Sequence, residues 1–466
     1  MDFENKKLIE LNEFLKKNKI AIIGLGVSNI PLLDYMYNLK VNVTVFDDRD
    51  IQNIPTDILE IVKKYNFKYF FGVDCLKKLI GFDIVFRSPS CMPTRKELVL
   101  EKENGAIITT EIEMFMKIFP GKVIGVTGSD GKTTTTTLIY EILKNNGYNC
   151  YLGGNIGIPL FTKLNEMKSE DIAVLELSSF QLMGMQISPD ISVITNITPN
   201  HLNIHSSYEE YIDAKKNIFK FQDQKGIVVL NYDNDITRDC KKDAEGKVIL
   251  YSSKEKLEDG IILDDSVIKE CKDKLRRHIL NTDDLILRGR HMHENACAAI
   301  AATSSLVEIE NAAKVIKEFK GVEHRLEFVK ELDGVKWYND SIGSSPTRTI
   351  AGLKSFGEKI TLIAGGYDKN LDYTPLAVPI LDKVYNLILV GQTANKIFDA
   401  VKAENEKQNK NINIYMCDEF KEAVLTARKV TKSGEVVLLS PASASFDMFK
   451  NFADRGNRFK ELVNNL

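Results

Sequence analysis

Gly125-Val-Thr-Gly-Ser-Asp-Gly-Lys-Thr-Thr-Thr135 constrains this chain more than any other segment. It follows an apolar β-branched run at 123–126 and opens into Leu138, Ile139, Ile142 and Leu143, which recur at helical spacing. A buried strand, a glycine-rich turn and a helix N-terminus together make a phosphate cradle. The turn's N–H groups (Gly128, Ser129, Asp130, Gly131) and the helix dipole face an anion, Lys132 adds a positive charge, and the hydroxyls of Thr133 and Thr134 open the helix. The Thr133 hydroxyl is suited to Mg²⁺, so a nucleoside triphosphate, ATP first, is the expected ligand. The glycines stand at 125, 128 and 131, and Val126 occupies the position where the common P-loop pattern has its first Gly. A plain Gly-rich βα turn is the competing reading, and it leaves Lys132-Thr133 at the helix start unexplained.

The rest of the chain repeats the same grammar. Short β-branched runs alternate with helical patterns from end to end, which predicts parallel sheets covered by helices, in three α/β blocks. At 466 residues the chain can bury several cores. The expected boundaries are 1–109, a Rossmann-like domain; 110–321, a central P-loop-type parallel-sheet ATPase domain; and 322–466, a second Rossmann-like domain. A net charge of −3 gives no reason to expect nucleic acid or an anionic membrane as partner. Seven scattered cysteines without a C-x-x-C pair point to reduced thiols in a cytoplasm. No apolar run of about 18 residues occurs, so no membrane insertion is expected.

In the first block, Ala21-Ile-Ile-Gly-Leu-Gly26 precedes Val27, a helical stretch at 30–39 and a strand at 41–46 that ends on Asp47. Asp47 lies about 20 residues beyond the glycine turn, as in dinucleotide folds, but Asn29 replaces the third glycine. A sugar nucleotide held by this turn and by Ser88-Pro89 fits as well as a dinucleotide, and simple structural turns remain a third reading. In the second block, polar residues follow buried strands: Glu176-Leu-Ser-Ser-Phe180 and Thr195-Asn196, then His201 and His205. Ligands of open α/β sheets sit beyond the carboxyl ends of the strands, so these residues should converge on the Lys132 loop. Glu176, His201 and Thr133 form a hard-cation set, although a capping carboxylate and a structural histidine are the ordinary alternatives. The Lys- and Asp-rich stretch 222–281 reads as peripheral structure. Strands are expected at 335–338, 360–363, 387–390 and 436–439 of the third block, with Asp340 just beyond the first of them.

Taken together, these segments resemble the Mur ligases, which build the peptide stem of bacterial peptidoglycan, along essentially the whole chain. The carrying motifs are the phosphate loop, Gly154-Asn155-Ile-Gly157, Thr195-Asn-Ile197 with His201 and His205, and Tyr211-Ile-Asp-Ala-Lys215. Glu176-Leu-Ser-Ser-Phe-Gln181, Asn339-Asp-Ser341, Ser440-Pro-Ala-Ser-Ala-Ser-Phe-Asp447 and Phe452-Ala-Asp-Arg-Gly456 are similar to the branch that adds D-glutamate to UDP-N-acetylmuramoyl-L-alanine.

The resemblance implies residue roles. Lys132 and Thr133 would hold ATP phosphates and Mg²⁺, with Glu176 and His201 on metal-bound oxygens and Lys215, carbamylated, on a second Mg²⁺. Lys132, His201 and Lys215 would be catalytic; Asn155 and His201 would touch the muramoyl-alanine end. Asn295, Arg325 and Asp340 would meet the nucleotide; Lys369, Ser445 and Phe452 would receive D-glutamate; Gly26, Val27, Asp47, Ser88 and Pro89 would hold the UDP moiety. Asn200, Asn203, Met292 and Ile342 depart from the family's usual residues. A monomer is expected. The rival readings are a ligase for another amino acid or for folate glutamylation, and a P-loop ATPase switch.

Overall fold

The computed structural model describes residues 5–200, 204–286, 289–369 and 371–466. The described residues divide into two compact units, Met1–Asp283 with Glu294–Ile316, and Asp284–His293 with Lys317–Leu466. Three sheets form, two in the first unit and one in the second.

The N-terminal sheet contains β1 (Ile20–Ile23), β2 (Val43–Asp47), β3 (Lys68–Phe71), β4 (Ile84–Arg87) and β5 (Ile107–Thr109) in the order β3-β2-β1-β4-β5, all parallel. The central strands β1 and β4 are buried at every residue, as expected of parallel strands covered on both faces. The order reverses between β1 and β4. That switch point puts the turn after β1 and the Ser88 turn after β4 side by side.

The larger sheet holds β6 (Lys122–Thr127), β7 (Cys150–Gly154), β8 (Ile172–Glu176), β9 (Ile191–Ile194), β10 (Ile227–Asn231), β11 (Lys247–Ser252), β12 (Gly260–Asp264), β13 (Val267–Lys272) and β14 (Leu275–Asn281). Its order is β14-β13-β12-β11-β10-β9-β6-β8-β7. The strand before the phosphate loop, β6, therefore lies between β8 and β9, so the residues after all three strands meet. The stretch expected to be peripheral builds one wing of this sheet: β10 to β12 extend it in parallel, and β13 and β14 close it as antiparallel hairpins. The last hairpin turns through Asp273 and Lys274, both left-handed (φ 50° and 67°), without the Asn-Gly pair that advertises such a turn. The exposed basic residues of β14 further mask its alternation.

The second unit contains β15 (Glu327–Leu332), β16 (Val335–Asn339), β17 (Ile360–Ala364), β18 (Val384–Val390), β19 (Asn413–Cys417) and β20 (Val436–Leu439), in the order β15-β16-β20-β17-β18-β19. Only β15 runs antiparallel to its neighbour. The three sheets match the expected α/β class.

Candidate active site

The glycine-rich loop expected to bind phosphate runs from β6 through Gly128 and Gly131 into the helix Lys132–Asn145. Both glycines are required by space as well as by their positive φ values of 150° and 79°. A Cβ at Gly128 would lie 1.9 Å from Thr195 Oγ1, and one at Gly131 would lie 2.3 Å from Asn295 Oδ1. The loop is pinned from beyond β9. Ser129 N–H donates to Asn196 O (2.8 Å), Asp130 N–H to Asn196 Oδ1 (2.9 Å), and Thr195 Oγ1 to Asp130 O (2.5 Å). The threonine run is a poor helix former by propensity, yet Thr136 and Thr137 donate back to the carbonyls of Lys132 and Thr133 at 2.8 Å, and Thr134 to Thr136 are buried. Thr135 Oγ1 donates to Asn295 Oδ1 (3.3 Å), so Asn295 joins this loop.

Lys132 Nζ bends over the loop and donates to the carbonyls of Gly128 and Ser129, both at 2.9 Å. Lys215, at the end of the helix Tyr208–Lys216, reaches the same Gly128 carbonyl. It is 2% exposed and donates to Gly128 O (2.8 Å) and Thr127 Oγ1 (3.4 Å), with its amine 4.7 Å from the Tyr211 ring centre. Burial, seconded by the charge of Lys132, holds the Lys215 amine well below the usual lysine range.

Glu176 ends β8 opposite Val126 of β6 and is 2% exposed. Its Oε1 accepts from Asn155 Nδ2 (2.7 Å), while Oε2 is buried without a hydrogen-bond partner among the described residues. A buried carboxylate oxygen left unpaired is costly and suits a cation. The Asn155 turn is equally tight: a Cβ at Gly154 would meet Glu176 O at 2.2 Å. His205, which has Nε2 3.0 Å from Ser179 Oγ and Nδ1 3.2 Å from Glu210 Oε1, braces the segment after Glu176 against the helix that carries Lys215. His201 and Asn203 lie outside the described residues.

At the N-terminal switch point, Asp47 is nearly saturated. It accepts from Leu25 N–H (2.7 Å), Arg49 N–H (3.0 Å) and the Arg49 guanidinium (2.7 Å). Burial alone would raise its pKa, but the hydrogen bonds from Arg49 and Leu25 outweigh it and hold the carboxyl below the usual range. Asn29, standing for the third glycine, is buried and donates to Ile23 O (2.9 Å) and Gly24 O (3.0 Å), which locks the turn from within. Gly24 packs so closely on Ser88 that a Cβ would lie 2.5 Å from its Oγ. Gly26 faces open space, Val27 is exposed, and Pro89 is half-buried beside Ser88.

In the second unit, Asp340 follows β16 and is buried, with Oδ2 accepting from Ser440 Oγ (2.7 Å) and Oδ1 from Leu326 N–H (3.3 Å). Burial raises its carboxyl to about 7, against a lowering pull from Ser440 and Arg325. Lys369 is exposed, with its amine 5.3 Å from the Phe446 ring centre; Ser445 is buried and Phe452 half in solvent. Arg455, not singled out from sequence, organises this region. It is 1% exposed and donates to Ser341 Oγ (3.0 Å), Ser341 O (2.8 Å), Ser443 O (3.1 Å) and Ala444 O (3.0 Å). Its place in the Phe452–Gly456 motif was the available signal.

Residues 126–303 match the Mur ligase middle domain and residues 324–443 the Mur ligase glutamate ligase domain. The UDP-N-acetylmuramoylalanine–D-glutamate ligase of Acetivibrio thermocellus is 48% identical, over 99% of both chains. The chain belongs to the Mur ligase family. The enzyme of the same name from Clostridium novyi is also 48% identical, over 99% of this chain and 100% of its own. Solved Mur ligase structures share the fold at low identity. The UDP-N-acetylmuramate–alanine ligase of Thermotoga maritima is 18% identical over 96% of this chain and 99% of its own, with a TM-score of 0.57. A MurF ligase from T. maritima, solved in complex with ADP, is 18% identical over 98% of this chain and 97% of its own, with a TM-score of 0.53.

Proposed function

We propose that this Mur ligase joins D-glutamate to the alanyl carboxyl of UDP-N-acetylmuramoyl-L-alanine, with ATP converted to ADP and phosphate. The observation that carries this reading is the identity of 48%, end to end, with relatives named for that reaction. A carboxylate does not form an amide with an amine unaided, so its oxygen must first be activated. The alanyl carboxylate attacks the γ-phosphorus of ATP, ADP leaves, and the amine of D-glutamate then attacks the acyl phosphate and displaces phosphate.

The loop 128–134 and Asn295 would cradle the triphosphate, and Lys132 would carry the positive charge nearest the transferred group. Arg325 and Asp340 of the second unit are assigned to the nucleotide, and Lys369, Ser445 and Phe452 to D-glutamate. The orphaned Glu176 Oε2 supports a cation site there. A free Lys215 amine does not fit beside a dication, but its lowered pKa favours the uncharged amine, which adds to carbon dioxide, releases a proton and becomes an anionic carbamate. Two Mg²⁺ ions held by Thr133, Glu176, carbamylated Lys215 and His201 would neutralise the charge of the triphosphate. Asn155, braced on Glu176, would orient the muramoyl-alanine end. Gly26, Val27 and the Ser88-Pro89 turn would hold UDP, with Asp47 ordering Leu25 and Arg49 behind it.

The proposal includes domains at 1–109, 110–321 and 322–466, a monomer, and a cytoplasmic location; among the described residues no helix is long and apolar enough to cross a membrane. Phosphate release from Mg²⁺-ATP with UDP-N-acetylmuramoyl-L-alanine, with and without D-glutamate, tests the function. Release that needs both, with a product heavier by one glutamyl residue, is expected. Release indifferent to D-glutamate overturns it.

A further inference from the structure

Arg87, the last residue of β4, is 3% exposed, and among the described residues its hydrogen bonds run to three backbone carbonyls. Two belong to the turn that follows it, Cys91 O (3.1 Å) and Ser88 O (3.4 Å); the third is Met183 O, at the end of the short helix Ser179–Leu182 beyond β8. The guanidinium thus spans from the N-terminal sheet's ligand edge to that of the larger sheet. The two segments also touch at Gly184 (φ 79°), where a Cβ would lie 3.3 Å from Pro93 and 3.9 Å from the Arg87 guanidinium. Glu113, itself buried, holds the next step of the same segment by accepting from Gln186 N–H (3.1 Å).

An apolar side chain of this size would fill the space without the desolvation penalty of a buried cation. A cation aimed at carbonyls from two sheets instead fixes where those segments meet. From Met183 the path back to Glu176 is stiff. Ser178 and Gln181 form a reciprocal capping box, and Glu176 is held by Asn155 through both side chain and backbone.

We infer that Arg87 is a positioning residue that sets the span between the turn holding the substrate's nucleotide end and the loop where its carboxylate is activated. This rests on the proposed assignment of the Ser88-Pro89 turn to UDP. The two ends belong to one covalent molecule, so a shift of one sheet edge against the other moves the carboxylate off the γ-phosphorus, and small misplacements are severe for in-line attack.

The test compares Arg87→Met and Arg87→Lys with the native protein on two substrates: UDP-N-acetylmuramoyl-L-alanine, and N-acetylmuramoyl-L-alanine 1-phosphate, which lacks the uridine monophosphate. Arg87→Met should lower kcat/KM for the full substrate by about 10- to 100-fold, leave KM for ATP unchanged, and match the native protein on the truncated substrate, whose nucleotide end is not anchored. Arg87→Lys should fall between. Equal losses on both substrates, or no loss on either, overturn the inference.

Ser88→Val separates the two readings. If it leaves KM for the full substrate unchanged, the turn is not the nucleotide site and the inference falls with that assignment. If it raises that KM while the Arg87 variants are inert, the site stands and the positioning role is wrong. Should Arg87→Met fail to fold, amide exchange in Arg87→Lys decides. Faster exchange at 91–95 and 183–186 together, with the phosphate loop unchanged, is expected; unchanged exchange at both segments overturns the inference.

Discussion

Lys132 and Lys215 donate to one carbonyl oxygen, that of Gly128, at 2.9 and 2.8 Å. Two amines converging on a single acceptor repel each other when both are charged, and the buried one gives up its proton first. The site therefore sets Lys132 of the loop beside a buried amine, Lys215, that holds its proton less tightly than an ordinary lysine does.

That asymmetry makes Lys215 the expected site of carbamylation. ¹³C-bicarbonate should yield a carbamate signal that Lys215→Arg lacks. The variant should lose more than about 100-fold in kcat, since even supporting partners of metal ligands are worth 10- to 100-fold. A native spectrum without the signal would refute the modification.

Glu176→Gln should keep the 2.7 Å contact with Asn155 while removing a buried negative charge. The Mg²⁺ concentration for half-maximal activity should rise, with kcat falling on the order of 10²-fold. Melting without metal should be unchanged or higher, because a neutral amide costs less to bury than an unpaired carboxylate oxygen. A magnesium titration alongside thermal melts checks both.

Asp340 carries a pH dependence of definite sign. Its folded pKa is raised from 3.8 to about 7, so the folded state holds the proton more tightly than the unfolded chain. Its favourable term is fully present below 3.8 and is lost as pH rises towards about 7. Asp340→Asn, which cannot ionise, should therefore gain in Tm relative to the native protein between pH 5 and pH 8. A Tm difference that stays flat or shrinks over that range contradicts the assignment.

Gly128→Ala should destabilise by about 2 kcal/mol or more, through backbone strain and the 1.9 Å approach to Thr195 Oγ1. Adding Thr195→Ser should not restore it, because the hydroxyl oxygen that clashes remains. Melting curves of the single and double variants read this directly, and full recovery in the double variant would count against the steric account.

The sequence by itself determined the α/β class, the glycine-rich turn between strand and helix, and the family. Each is written in local spacing: apolar runs of strand length, glycines at 125, 128 and 131, and a Lys-Thr pair at a helix start. It also identified Glu176 as a candidate from its place beyond a buried strand, and Asn155 and Lys215 through motif likeness. Only the tertiary structure decided that Lys215 is buried against the phosphate loop, since nothing on an amphipathic helix reveals what lies opposite one lysine. It likewise turned 222–281 from periphery into a wing of the central sheet, because the hairpin there turns on Asp273 and Lys274 and hides its alternation under surface charge. Arg87 was silent for the same reason, and Arg455 was legible only as a member of the Phe452–Gly456 motif, not as a buried anchor. A buried arginine acquires its meaning from carbonyls contributed by distant segments, and that meeting is a property of packing, not of spacing along the chain.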